Sequence, residues 1–132
     1  MGGLNSYDPK SNRFSHFKHD KDDPNSLSHD RVSVIFEDSK GILWIGTITG
    51  GLNRYDKSSG YFQHFKHSKT DPYSISNNHI LSIYEDPEGD LWIGTNIHGL
   101  NKYDRKQQRF TQLKHDKSDA DRLSSGTIVS IY

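Results

Sequence analysis

The chain has 132 residues, with 17 basic side chains balancing 17 acidic ones, and no cysteine. That leaves room for one ordinary domain, with no net field to draw it onto nucleic acid or an anionic membrane and no disulfide or thiolate chemistry. Aromatics are plentiful and aliphatics few, a balance that suits stacked sheets better than helices, and no stretch approaches the ~18 apolar residues of a membrane span.

In chain order, the N-terminal MGGLNSYDPKSNRF contains no apolar run and reads as no secretion signal. Within it, Gly3, Leu4, Asn5, Tyr7 and Asp8 return 48 residues later inside EDSKGILWIGTITGGLNRYD, Glu37 to Asp56. That stretch returns after another 48 residues as EDPEGDLWIGTNIHGLNKYD, Glu85 to Asp104, with 13 of 20 positions identical. Self-similarity at such a period marks a solenoid, propeller or array.

Each period holds four short runs rich in β-branched and aromatic residues, none long enough for a helix. In the first complete copy the expected strands are Val32 to Phe36, Ile42 to Thr47, Leu52 to Tyr55 and Tyr61 to Phe65. The gaps between them, Asp38-Ser39-Lys40-Gly41, Gly50-Gly51 and Asp56-Lys57-Ser58-Ser59-Gly60, are short turns, so each unit reads as an antiparallel meander. A long polar crossover then leads to the next unit. It too repeats, keeping His19/His67/His115, Asp23/Asp71/Asp119 and an aliphatic at Leu27/Ile75/Leu123, which is expected to plug the loop into the layer between units.

The fold class that follows is all-β: four-stranded antiparallel β-propeller blades with a 48-residue period. The divisions are a half blade at 3–18, full blades at 32–67 and 80–115, and a first strand at 126–132, eleven strands in a single partial propeller over 1–132. Ending on that strand, the chain reads as a piece of a longer protein. Two chains of three blades each fall within the usual four to eight blades, so a head-to-tail homodimer closing a six-bladed ring is the expected partner state. The composite blade of that ring would lack its second strand.

Ile80 to Asp86, Leu91 to Thr95 and Gly99 to Asp104 together resemble the two-component regulator propeller repeat; the first copy departs where Val34 replaces the serine of Ser82 and Ser130. The resemblance implies a non-catalytic module from the extracytoplasmic, periplasmic sensor region of a bacterial hybrid two-component histidine kinase, binding a carbohydrate or other polar ligand. A structural or protein-interaction module without a ligand is the alternative, and a propeller-type lyase or glycosidase a third.

Repetition tells against most candidate chemistry. His19, His67 and His115 occupy equivalent positions in different units, too far apart for one metal shell, so no metal or cofactor is expected. Trp44 and Trp92 read as packing between blades, and Asp8, Asp56 and Asp104 as turn caps. No nucleophile–base pair, paired carboxylate set or phosphate loop stands at usable spacing, so no catalytic residue is assigned. Nucleic acid is disfavoured because basic residues alternate with Asp along each crossover, and no membrane contact by this segment is expected. Positions where the copies diverge are free to serve a site. Asp30, Arg31, Thr49, Asn77, Asn78, His79 and His98 should rim one mouth of the central channel and are the expected polar ligand-binding set. Of these, His79 and His98 are the only ones suited to acid–base work in the enzyme reading.

Overall fold

The computed structural model describes residues 2–113 and Ile131. Strands β1 (Leu4–Asp8) and β2 (Arg13–Phe17) form a hairpin. The strands β3 (Val32–Glu37), β4 (Leu43–Thr47), β5 (Leu52–Asp56) and β6 (Tyr61–Phe65) form one four-stranded sheet, and β7 (Ile80–Glu85), β8 (Leu91–Thr95), β9 (Gly99–Asp104) and β10 (Arg109–Leu113) form another. Pairing is antiparallel between chain neighbours throughout, the meander expected from the turn signals. The expected strand at 126–132, His115 and Leu123 lie outside the described residues.

The repeated motifs acquire distinct physical jobs. In Leu-Trp-Ile-Gly-Thr, β4 is buried on both faces because it lies between the hairpin and the second sheet. Its Gly46 is obligatory for that stacking: a Cβ there would lie 2.6 Å from Ile80 Cγ2 of the next unit's first strand. The first strands β3 and β7 are bulged at the same place, between Val32 and Val34 and between Ile80 and Ser82. Ser33, the bulged residue, donates its hydroxyl to the Ile80 carbonyl at 2.6 Å, joining one first strand to the next.

The Gly-Leu-Asn motif turns and anchors. Gly51 takes φ 81°, where a Cβ would meet the Phe65 carbonyl oxygen at 2.3 Å. Two residues on, Asn53 is fully buried and holds the preceding crossover. Its Oδ1 accepts the Ser28 amide at 2.9 Å, and its Nδ2 donates to Ser28 Oγ at 2.7 Å and the Ile45 carbonyl at 3.1 Å. Asn101 repeats the arrangement on Ser76 and Ile93. Leu27 and Ile75 are fully buried, as the plug reading expects. Each crossover also covers the outer edge of the following sheet, since the Phe62 and Phe110 amides donate to the Asn25 and Tyr73 carbonyls, both at 2.8 Å.

Asp8, Asp56 and Asp104 cap the third turn of each unit through backbone amides two residues on. Hydrogen bonds from Ser58 and Ser59 bring the Asp56 carboxyl down to about 2, and Asp8, Asp86 and Asp104 are also lowered. Burial pushes Asp38 up, but the Trp44 indole N–H, the Arg105 guanidinium and the Ile42 amide together hold it below its ordinary value. Groups whose folded pKa is depressed contribute stability that is complete above the unfolded value, near 4, and disappears as pH falls through the folded value. The expected result is a urea midpoint that is flat from pH 7 to 5 and falls steadily from pH 4 to 2. A midpoint unchanged at pH 2.5 would show that these caps are equally satisfied in the unfolded chain.

Candidate functional site

The polar end of each crossover, the start of the next first strand and the turn between the second and third strands meet at one end of the sheets. Ile48 N donates to the Arg31 carbonyl and Asn96 N to the His79 carbonyl, each at 3.0 Å, so the same backbone bonds close this end in both units. Asp30 and Asn78 are equivalent residues with the same role. Their Oδ1 atoms accept the amides of His19 and His67, both at 2.7 Å, and so close the crossover on itself.

In the second unit a cavity of about 340 Å³ opens here, lined by His67, Ser76, Asn77, Asn78, His98 and Gln112. Three of the expected residues, Asn77, Asn78 and His98, share it. Asp30, Arg31, Thr49 and His79 do not line it; Asp30 is the equivalent of Asn78 in the preceding unit, Arg31 and Thr49 are the equivalents of His79 and Ile97, and His79 immediately precedes β7. His67, Ser76 and Gln112 were not in the expected set.

The lining has defined hydrogen-bonding roles. His67 Nδ1 lies 2.9 Å from the Ile75 carbonyl, which can only accept, so Nδ1 carries the proton and Nε2 of the neutral ring is an acceptor. Asn77 and Asn78 use Oδ1 to accept the His79 and His67 amides, which leaves their Nδ2 groups as donors. Gln112 is held by its own donation to the Ser74 carbonyl at 2.7 Å. His98 is exposed on a turn whose preceding residue, Ile97, has φ 72°. A β-branched residue in the left-handed region is rare, and such strain is characteristic of functional turns. In the first unit Gly50 stands where His98 stands here, and a Cβ on Gly50 would lie 2.6 Å from Ser28 Oγ. The second turn follows a different path, and that path makes room for the imidazole.

A larger hollow, about 480 Å³, lies at the opposite end, among Lys40, Glu88, Asp90, Lys102 and Arg105. Its charges are largely spent on the protein itself. Lys102 pairs with Asp90 at 2.7 Å, while Arg105 donates to Asp38 at 2.8 Å, Glu85 at 3.1 Å and the Gly89 carbonyl at 3.0 Å. It is an ion-paired joint between sheets, and the smaller cavity has the freer donors and acceptors. Among the described residues no group of His, Asp and Glu converges as a metal site.

The family model for the two component regulator propeller matches residues 26–49 and 74–96, from the crossover anchor through the Leu-Trp-Ile-Gly-Thr strand in each complete unit. Over these two segments the chain is similar to the two component regulator propeller. Both matched segments end at the turn where the two copies of this propeller repeat differ most, and the second includes Ser76, Asn77 and Asn78 of the cavity.

Among solved structures, the chain is similar to the extracellular domain of BT3049, described as a hybrid two component system of B. thetaiotaomicron. The TM-score is 0.83 at 24% identity, over 98% of this chain and 18% of that one. It is also similar to the extracellular domain of BT4673, described as a one component system of the same organism, with TM-score 0.50 and 23% identity over 84% of this chain and 21% of that one. These likenesses concern the fold, and the chain spans about a fifth of the length of each. No curated protein sequence matches it.

Proposed function

We propose that this segment belongs to the extracytoplasmic sensor region of a two-component regulator and binds a polar, hydroxyl-rich ligand such as an oligosaccharide, without catalysis. The carrying observation is the cavity beside Ile97: donors from Asn77 and Asn78, an acceptor at His67 Nε2 and an exposed His98 converge on a strained turn present in one repeat only. Alternating donors and acceptors suit sugar hydroxyls, each of which can give and accept a hydrogen bond. The family match and the extracellular domains of similar fold support the sensor assignment. Among the described residues the lining contains no carboxylate, whereas glycoside hydrolysis ordinarily needs a facing pair of them. Asp30, Arg31 and Thr49 would contribute only through a corresponding hollow in the first unit.

Calorimetric titration against a panel of neutral and acidic oligosaccharides tests the reading. Binding is expected for at least one class, weakened about tenfold by His98→Ala, the equivalent of roughly 1.4 kcal/mol. His98 is exposed, so the substitution should leave the unfolding midpoint unchanged. Silence across the panel, or affinity indifferent to His98→Ala, would overturn it; turnover of a bound sugar would move the chain to the lyase or glycosidase class.

A further inference from the structure

The two complete units differ in charge at one corner. In the second unit, Glu88 and Asp90 stand beside Lys102, whose ammonium pairs with Asp90 at 2.7 Å and lies 5.2 Å over the Trp92 ring. The same positions in the first unit hold Lys40, Ile42 and Arg54. Two acids and a base have become two bases and an isoleucine. The carboxylate that neutralises the strand cation in one copy has no counterpart in the other. Among the described residues, Arg54 makes no hydrogen bond or ion pair.

This corner of the first unit opens on a cavity of about 250 Å³ between the two complete sheets. Ile42, Trp44 and Arg54 line it from the first unit, Tyr103 and Gln108 from the second, and the exposed Lys40 completes it. Trp44 is the cross-strand partner of Arg54, and Ile42 precedes it by two residues on the same face. Tyr103 is 3% exposed, yet no described residue hydrogen-bonds its hydroxyl. A phenol so deeply placed ordinarily has a partner. Burial pushes its pKa up while Arg54 and Arg105 act in the opposite sense, so the hydroxyl lies in the field of both guanidiniums. Arg105 is already held by Asp38, Glu85 and the Gly89 carbonyl. The carboxylates facing this corner are engaged as well: Asp38 by Trp44 and Arg105, and Asp56 by Ser58 and Ser59. What stays open is one guanidinium fork and one phenol hydroxyl over an apolar floor.

We propose that this cavity binds a small monocarboxylate carrying one flat apolar ring, an aromatic acid of the benzoate kind. The acid group takes the place that Asp90 holds in the second unit, bidentate on the Arg54 guanidinium, with Tyr103 donating a further hydrogen bond. The ring lies against Ile42 and Trp44, where a polar body would lose its water without finding partners. Lys40 adds a second positive charge for an incoming anion. The volume admits one ring and excludes an oligosaccharide, so this site is separate from the cavity beside His98 and does not depend on it.

The chain has two tryptophans, Trp44 on this cavity and Trp92 outside it, so their indole N–H signals in a proton–nitrogen spectrum read the result. Titration of the whole chain with benzoate at pH 7 should shift the Trp44 signal saturably, with a dissociation constant of roughly 1 mM, and leave that of Trp92 in place. Benzamide has the shape without the charge and acetate the charge without the ring; each should bind about tenfold more weakly. Arg54→Met should weaken benzoate by about tenfold, and Tyr103→Phe by about threefold. Ile42→Asp restores the carboxylate of the second unit, which should occupy Arg54 from within and abolish binding while both indole signals stay dispersed. A Trp44 signal indifferent to about 20 mM benzoate would overturn the proposal. So would acetate binding as well as benzoate, a Trp92 shift of equal size, or full affinity in Arg54→Met or Ile42→Asp.

Discussion

Replacing Arg105 with methionine is expected to lower the unfolding free energy by about 3 kcal/mol, the lower end of the cost of stranding one member of a buried ion pair. Methionine keeps the apolar stem that packs between the sheets and removes only the guanidinium. The Asp38 side chain it leaves behind is fully buried. Three donors remain on that carboxylate, from Trp44 Nε1, Lys40 N and Ile42 N, which is why the lower end of the range applies. Glu85 loses a partner too, but Ser39 still binds it through both amide and hydroxyl at 2.7 Å. Arg105→Lys should recover less than half of the loss, because an ammonium cannot serve Asp38, Glu85 and the Gly89 carbonyl in one fork.

The repeat provides its own control. Lys57 occupies the same position one unit earlier, where it meets Glu37 at 3.5 Å with side chains 60% and 59% exposed. Lys57→Met should shift stability by no more than about 0.5 kcal/mol, as exposed pairs do. Urea unfolding of the two variants side by side decides whether burial or sequence position sets the value of this residue. Equal losses would mean that the joint between the sheets does not depend on the Arg105 latch.

That contrast also shows what could be read in the chain before its coordinates. The meander was legible because the 48-residue period fixes where turns fall, and Asp-x-x-Gly and Gly-Leu-Asn have local physical roles that need no tertiary context. The third turn is an instructive case: Gly60 takes φ 76°, and its equivalents Asn12 and Gln108 accept the same left-handed backbone at 53° and 52°. Arg105 was not legible, since Lys57 and Arg105 look like ordinary surface charge and only the stacking of sheets places one of them on a buried carboxylate. Divergence between copies was a partial guide to the cavity. It found His98 and Asn77, but it also selected Asp30 and Asn78, whose differing side chains perform one backbone-capping task through the same Oδ1 atom. It passed over His67 because the residue repeats. Only the path of the crossover shows that its Nδ1 is committed to Ile75 and that the residue lines the cavity.

The asparagines of Gly-Leu-Asn connect stability to the proposed site, and substituting them should separate the two. Asn53→Ala removes three hydrogen bonds and leaves the Ser28 amide and the Ile45 carbonyl buried without a partner in the side chain that served them. At about 1–3 kcal/mol for each unsatisfied buried group, the expected loss is roughly 3–5 kcal/mol. Asn53→Asp should be no better. It keeps the acceptor for Ser28 N but sets a second oxygen against the Ile45 carbonyl, and it buries a charge. Asn101→Ala should cost a similar amount, through the Ser76 amide and the Ile93 carbonyl. The consequence for binding differs. Asn101 holds Ser76, whose hydroxyl also meets Thr95 Oγ1 at 2.9 Å, and Ser76 and Asn77 form one wall of the cavity. Asn53 holds the preceding crossover, which contributes nothing to that wall. At a temperature where both variants remain folded, Asn101→Ala should therefore weaken ligand binding several-fold while Asn53→Ala leaves it near wild type. Hydrogen exchange should report faster exchange at the Ser76 amide in the first and at the Ser28 amide in the second. If both variants lost affinity equally, binding would depend on the rigidity of the whole stack, and the wall formed by Ser76 and Asn77 would lose its special standing.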